Sequence, residues 1–243
     1  MQIACIAVVF GGWQIGSTTG ALDPLILPPL SAIAVQLGAV LRAGSAWAAA
    51  GVTLAELALA FALAAAAGLL AGFAISRSAF VVRVFDPLIA GLYAVPTILL
   101  FPLYLLFFGI GPPSKIALGT TMAFFPIVLS TIAGFSQVKR VHIAAAQSMG
   151  ASAPQLFWHV LVPDAFPVVI AGLRMGLVLG FLAILGGETI TSNAGLGHEI
   201  VTMAESLEPA KMFAYIVVAV ALASVLNALT SYVEMRGRRH ESA

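Results

Sequence analysis

Long apolar stretches fill most of this chain, and its polar residues collect in the short intervals between them. A bilayer core of about 30 Å needs about 20 apolar residues per helix. The pattern therefore predicts about six membrane spans, at approximately residues 3–22, 50–76, 87–110, 116–137, 167–190 and 212–233. The first is the weakest, because its apolar part would reach only about 20 Å as a helix. We expect a first helix that is short or has lost residues at its start, with a cleaved signal peptide as the alternative.

Composition agrees with an all-α polytopic membrane protein formed by a single domain over residues 1–243. Of 243 residues, 61% are hydrophobic and 9% are charged, against about 25% charged residues in soluble domains. Such a chain cannot cover a water-exposed surface, which excludes a cytoplasmic enzyme and a disordered scaffold and makes membrane lipid its surroundings. A net charge of +1 gives no basic field for nucleic acid.

The basic residues between the spans predict the orientation of the chain. With six helices, one side receives seven Lys or Arg residues and the other side receives three. The richer side is expected in the cytoplasm, so both termini are cytoplasmic. The cytoplasmic group is Arg77, Arg83, Lys139, Arg140, Arg236, Arg238 and Arg239, and the outer group is Arg42, Lys115 and Lys211.

Prolines mark the third span, which is predicted to begin at Asp86 as an N-cap with Pro87 in the first turn. Pro96 and Pro102 then interrupt the span, because each removes a backbone hydrogen bond. Two breaks in one span indicate a helix that lines a pathway, or ordinary kinks in a packed bundle. Pro96 and Pro102 are therefore candidate pathway residues.

Charged residues within or near the spans are a second indication of a pathway. Glu56 lies near the outer start of the second span and Glu188 near the outer end of the fifth. A carboxylate in lipid is costly, so both should face the protein interior or a watery cavity. Both are candidate pathway residues, with a structural hydrogen bond as the alternative. Arg174 is close enough to the cytoplasmic surface to reach it with its long side chain.

Small residues predict close helix packing in the second span. Gly68 and Gly72 are four residues apart in an alanine-rich run. This spacing lets two helices approach closely in lipid.

Residues 136–166 form a cytoplasmic loop that is too long to be a simple connection. Residues 141–149 are good helix formers, and Gly150 follows as a C-terminal stop. Ser152 and Gln155 have the spacing of a capping box, so a second short helix is predicted up to Leu161, ending before Pro163. The sequence thus predicts a helix, a sharp turn and a helix.

The second short helix carries more apolar surface than an exposed loop should. Leu156 and Val160, and likewise Phe157 and Leu161, are four residues apart. The surface is covered either by the protein's own helix ends or by a partner protein with a groove for a short helix.

The alanines at 144–146, Gly150 and Pro163 have a familiar spacing. They resemble the EAA motif, Glu-Ala-Ala-x3-Gly-x9-Ile-x-Leu-Pro, of binding-protein-dependent ABC importer permeases. Ala144 replaces the glutamate, while Val160 and Val162 replace the two other aliphatic residues and keep their apolar character.

The resemblance extends over nearly the whole chain and is closest to the nitrate, sulfonate and taurine permease subfamily. One departure is the stretch Thr53 to Glu56, where that subfamily commonly has Ser-Leu-x-Arg. The further matching positions are Asp86-Pro87, Pro96, Phe101-Pro102-Leu103, Phe108-Gly109-Ile110-Gly111, Ser114-Lys115, Ala165-Phe166-Pro167, Gly172-Leu173-Arg174, Glu188 and Ala194-Gly195-Leu196-Gly197.

The resemblance implies a permease subunit of an ATP-driven importer in the bacterial inner membrane, with residues 139–165 as the coupling loop. The implied partners are cytoplasmic ABC ATPase subunits, an extracytoplasmic solute-binding protein and a second permease copy, as in a homodimer. The residues implied in coupling to the ATPase are Ala145, Ala146, Gly150, Ala151, Leu156, Phe157, Val160, Leu161 and Pro163.

No sequence motif indicates catalysis by the chain itself. It has no phosphate-binding loop of the G-x-x-x-x-G-K-[ST] type, and its four histidines are not spaced as metal ligands. We therefore expect no cofactor and no metal, with ATP used by the partner ATPase. A secondary transporter or channel not powered by ATP is the alternative function, but it would need ionisable residues near the middle of the bilayer.

Overall fold

The computed structural model describes the backbone of residues 2–239 and the side chains of residues 5, 6 and 8–232. Regular structure within these residues is helical, with no strand among them, as the apolar pattern predicts. The helices are α1 (Gln2–Thr18), α2 (Leu30–Arg42), α3 (Ser45–Ser76), α4 (Ala79–Tyr93), α5 (Phe101–Phe108), α6 (Pro112–Ser136), α7 (Arg140–Ser148), α8 (Ala153–Leu156), α9 (Val162–Ile190), α10 (Leu196–Glu205) and α11 (Pro209–Arg239).

Among the residues that the structure describes, four helical segments are long and apolar enough to cross a membrane: α3, α6, the continuous stretch Ala153–Ile190, and Pro209–Tyr232 of α11. A fifth span can be formed by α4 together with Thr97–Phe108, which are bent by 75° relative to each other. The all-helical polytopic architecture is therefore confirmed. The first predicted span, at residues 3–22, corresponds to α1, whose 17 residues extend about 25 Å, and its crossing stays a prediction.

The predicted start of the third span at Asp86 is wrong. Helix α4 begins at Ala79, and Pro87 lies inside it. A proline inside a helix removes one backbone hydrogen bond, and here tertiary packing offsets that loss. On either side of Pro87, Ile89 lies in a buried cluster with Val128 and Ile132 of α6, and Val82 packs against that cluster.

The break in this span is at Pro96 rather than at Pro102. Helix α4 ends at Tyr93, and Pro96 precedes a short 3₁₀ turn at Thr97–Leu100. The residue before a proline is disfavoured in helical conformation, which explains why the helix stops here. Pro102 lies in the first turn of α5, where the missing N–H has no helical partner to lose.

The described chain divides into two compact units, and the first comprises Met1–Ala55 and Leu185–Ser224. Its core contains Val40 of α2, Ala46 of α3, Leu196 of α10 and Tyr215 of α11, with Leu37 and Leu41 packed against it. The Tyr215 hydroxyl meets the Ser45 hydroxyl at 3.0 Å, so this buried phenol keeps a polar partner.

The second unit comprises Glu56–Ile184 and Val225–Ala243. Helix α6 lies at its centre, because it is packed on several sides by small residues of other helices. A Cβ added to Gly72 of α3 would lie 2.5 Å from Thr131, and one added to Gly176 of α9 would lie 2.7 Å from Ile127. Gly68 likewise faces Ile127. The close approach predicted for Gly68 and Gly72 is therefore confirmed, and α6 is its partner.

Replacing Gly72 with leucine should destabilise the second unit, because the new side chain would overlap Thr131 in a packed interface. We expect a loss of about 1–3 kcal/mol, measured as a lower thermal unfolding midpoint in detergent. Gly91→Leu is the matched control, since a Cβ at Gly91 meets no atom within 4 Å. Equal midpoints for the two variants would contradict the close approach.

Candidate functional site

Residues 139–165 form the predicted helix–turn–helix, and Gly150 makes its turn. Helix α7 ends at Ser148, and Gly150 has φ 78°, a conformation that costs most L-residues about 1–2 kcal/mol. The Ala151 N–H then bonds back to the carbonyl of Ala146 at 3.0 Å. This pattern closes the helix and reverses the chain in three residues.

The second leg of the turn begins with the predicted capping box. The N–H and the hydroxyl of Ser152 both donate to Gln155 Oε1, at 2.8 and 2.9 Å. The predicted end of this leg before Pro163 is wrong, however. A π-helical turn at Phe157–Leu161 joins α8 to α9, so the helix runs on past Pro163 into the membrane span.

The π turn explains why Pro163 does not end the helix. Pro163 has no N–H to donate to the carbonyl one turn earlier, and in a regular α-helix its ring would clash with that carbonyl. A turn with five-residue hydrogen-bond spacing is wider and accommodates the ring. Pro163 therefore lies within a continuous helix that connects the exposed segment directly to the span.

The residues implied in coupling lie at different depths on this segment. Ala145, Gly150 and Pro163 are exposed and Ala146 is buried. The remaining ones are half-buried: Ala151, Leu156, Phe157, Val160 and Leu161. The segment thus presents a mixed surface, and the coupling role of each residue stays a prediction.

Phe157 packs on this chain's own helix ends, the first of the two alternatives left open by the sequence. Its ring centroid lies 5.1 Å from that of Phe73 in α3 and 6.4 Å from that of Phe135 in α6. The ring therefore anchors the second leg to the ends of two spans. Trp158 and Met149, by contrast, are 65% and 82% exposed, so apolar surface is still available to a partner.

A histidine–carboxylate contact that sequence reasoning missed joins the two legs at their base. His142 Nδ1 in α7 lies 2.6 Å from Asp164 Oδ2 in the first turn of α9. Ala144, which replaces the motif's glutamate, is exposed on the same helix. The two residues of the pair are 22 positions apart, and no local pattern in the sequence relates them.

Glu188 lies in a buried polar cluster of the first unit and is 1% exposed. The Thr53 hydroxyl lies 2.8 Å from Glu188 Oε1, and the Gly197 N–H donates to Oε2 at 2.8 Å. The Leu196 N–H donates in turn to the Thr53 hydroxyl at 3.0 Å. A carboxylate at the first N–H groups of α10 is stabilised by those donors and by the helix dipole.

The glycines near Glu188 are required by this arrangement. Gly195 has φ 112°, and a Cβ on it would overlap the Glu188 carboxylate. A Cβ on Gly197 would lie 2.7 Å from Glu188 Cβ. The Gly195 to Gly197 stretch therefore folds directly onto the carboxylate, and Glu188 holds the start of α10. A pathway role for Glu188 stays a prediction.

Glu56 forms a buried ion pair with Lys115 in the second unit. Lys115 Nζ lies 2.6 Å from Glu56 Oε1, and the two residues are 1% and 4% exposed. Lys115 stands in the first turn of α6, where the helix dipole disfavours a cation. The Glu56 carboxylate offsets that effect, and the two opposite charges compensate each other in the protein interior. The sequence identified both residues but did not indicate that they pair.

Arg174 is bonded to a second helix of the same unit. Its Nε and Nη2 donate to Asn227 Oδ1 of α11 at 3.2 and 2.9 Å. The guanidinium thereby links α9 to α11. This contact gives Arg174 a structural role in addition to its predicted reach toward the cytoplasmic surface.

Residues 64–239 match the family of binding-protein-dependent transport system inner membrane components. This range covers most of the chain, so the chain belongs to that family. It is a membrane permease subunit of the ABC importer class.

Permeases of known systems are similar to this chain over most of its length. The taurine transport system permease protein of Escherichia coli (strain K12) is 32% identical over 93% of this chain and 84% of its own length. A putative aliphatic sulfonates transport permease protein of the same organism is 31% identical, over 89% and 81%. The riboflavin transport system permease protein of Chloroflexus aurantiacus is also 31% identical, over 91% and 81%.

The fold agrees with a solved structure of the same kind. The MetNI methionine ABC transporter in an inward-facing conformation contains a chain that superposes with a TM-score of 0.63 at 19% identity. The match covers 81% of this chain and 96% of that one.

Removing one member of the buried ion pair should be costly, while removing both should not be. Glu56→Gln or Lys115→Met leaves one uncompensated buried charge and should cost about 3–5 kcal/mol of unfolding free energy. The double variant Glu56→Leu/Lys115→Met should recover most of that loss. Unfolding in detergent measures both effects. Single variants as stable as the parent chain would show that the pair is not formed.

Glu188→Gln should loosen the start of α10, because an amide offers one acceptor oxygen where the carboxylate offers two. We expect a loss of about 1–3 kcal/mol and faster hydrogen exchange at the Leu196 and Gly197 amides. The exposed residue Glu205 of the same helix supplies the control, Glu205→Gln. If Glu188→Gln lowers uptake without faster exchange, the carboxylate serves the pathway rather than the loop.

Proposed function

We propose that this chain forms the translocation pathway for a small solute and that a separate cytoplasmic ABC ATPase drives it through residues 139–165. The observation that carries the proposal is the exposed helix–turn–helix that continues without interruption into a membrane span. A continuous helix moves as a rigid body, so displacement of the exposed end is passed to the span. The family match supports the same reading.

The charge distribution supports a cytoplasmic position for this segment and for both termini. Lys139 and Arg140 are exposed at the start of α7. Lys115, one of three basic residues assigned to the outer side, is buried in the ion pair with Glu56. Its charge is compensated there, which leaves Arg42 and Lys211 as the other basic residues assigned to the outer side, against seven on the cytoplasmic side.

The chain is expected to work with two further kinds of partner. An extracytoplasmic solute-binding protein would deliver the solute, and a second permease copy, in a homodimer, would complete the pathway. Permeases named for taurine and for riboflavin are similar to this chain to nearly the same degree. We therefore assign the choice of solute to the binding protein rather than to this chain.

Gly150→Val should uncouple ATP hydrolysis from uptake. A β-branched residue at φ 78° strains the turn by about 1–3 kcal/mol, which would displace the second leg from the ATPase. In proteoliposomes that contain the ATPase and the binding protein, we expect uptake to fall about tenfold or more. Membrane insertion and ATP hydrolysis should persist.

Gly150→Asn is the control at the same position, because asparagine tolerates the left-handed conformation. It should retain most of the uptake. Equal transport by the valine and asparagine variants, or uptake without any ATPase subunit, would contradict the proposed function.

A further inference from the structure

A groove lies between the two legs of the exposed helix–turn–helix. It has a volume of about 510 Å³. Small and aliphatic side chains form its floor, namely Ala146, Ala151 and Val160, with Gly150 at the turn, and Met149, Gln155 and His159 stand at its rim. Because residues 146, 150 and 151 are alanine or glycine, this space is not filled by the chain's own side chains.

The walls of the groove are fixed by hydrogen bonds within the segment. The Ala151 N–H bonds to the Ala146 carbonyl, and the capping box holds Ser152 to Gln155. At the base, the His142–Asp164 pair holds the legs together. A groove that is already formed costs little ordering when it is occupied.

The floor selects an apolar occupant of substantial size. Ala146 is 6% exposed, so the floor is packed from behind, whereas Met149 is 82% exposed and free to cover what enters. A methionine thioether packs well against aromatic rings. Aromatic side chains are also the commonest anchors of protein–protein interfaces.

His159 adds a hydrogen-bond acceptor to this apolar site. Its Nδ1 lies 3.1 Å from the Gln155 carbonyl oxygen. A carbonyl oxygen can only accept, so Nδ1 carries a proton, and in the uncharged tautomer with that proton Nε2 is an acceptor. The occupant should therefore bring an O–H or N–H donor.

The positive charge of the segment argues against a lysine or arginine side chain as the donor to His159. Lys139 and Arg140 are exposed on the same segment. Asp164 is the one acid within residues 139–165, and it faces His142. A cationic occupant would be repelled, whereas a neutral tyrosine or tryptophan would not.

We propose that this groove receives a tyrosine or tryptophan side chain of the ATPase partner, with its O–H or N–H donating to His159 Nε2. Coupling is then reciprocal: the segment enters a surface of the ATPase, and an aromatic anchor of the ATPase enters the segment. The inference rests on the proposed function and specifies the partner's contact.

Crosslinking identifies the occupant directly. A photoreactive amino acid is placed at position 149 in the full chain, the complex with its ATPase is assembled, and crosslinked peptides are sequenced by mass spectrometry. We expect an ATPase peptide in which the attached segment contains tyrosine or tryptophan. Crosslinks only to lipid, to a second copy of this chain, or to an ATPase segment without either residue would overturn the proposal.

Affinity measurements on the same complex test the hydrogen bond. His159→Leu removes the acceptor and should weaken ATPase binding about three- to tenfold. His159→Gln keeps an acceptor and should restore most of that affinity. Ala151→Leu fills the groove and should weaken binding at least as much as His159→Leu. Ser148→Ala, at an exposed position whose hydroxyl bonds within its own helix, is the control and should bind normally.

The outcomes separate this inference from the proposed function. If the ATPase binds and drives uptake but His159→Leu and Ala151→Leu leave its affinity unchanged, the aromatic anchor is refuted and the coupling role stands. If no ATPase binds the unmodified chain, both fail together.

Discussion

The absence of water in the bilayer core constrains this protein more than any other condition. A charge in a span persists only when a partner compensates it, and the two buried acids show two ways of meeting that requirement. Glu56 is paired with a lysine of a neighbouring helix. Glu188 accepts hydrogen bonds from the Thr53 hydroxyl of α3 and from the Gly197 N–H at the start of α10. Each carboxylate also links helices that are distant in the sequence, α3 to α6 at Glu56 and α3 to α9 at Glu188.

The same constraint determines how a proline is tolerated in a helix of this protein. In lipid an unbonded carbonyl is costly, so a proline must be accommodated by its surroundings. Pro87 is tolerated within α4, whose residues on either side pack against α6. Pro163 is accommodated by a π turn, which keeps the exposed segment and the span in one helix. The only chain break among these sites is at Pro96, where the preceding residues also leave the helix.

The sequence predicted features set by neighbouring residues and missed those set by distant ones. The apolar runs, the Gly150 turn and the Ser152–Gln155 box are local, and the structure contains all of them. The starts and ends assigned at Pro87 and Pro163 were wrong, because a local rule treats proline as a helix terminus whatever surrounds it. The Glu56–Lys115 and Thr53–Glu188 contacts span 59 and 135 residues, and one sequence carries no pattern that brings such positions together.

The chain departs from the EAA motif at position 144, where alanine replaces glutamate, and the helix–turn–helix is nevertheless formed. The alanine at position 144 is exposed and offers a partner no charge. Within the segment, the His142 and Asp164 side chains form a cross-leg contact of 2.6 Å, so the two legs are held together without that glutamate. What the motif retains here is therefore its backbone geometry: small residues and a left-handed turn at Gly150. Under the proposed function, a segment with this composition engages the ATPase through shape and apolar contact rather than through an acidic side chain.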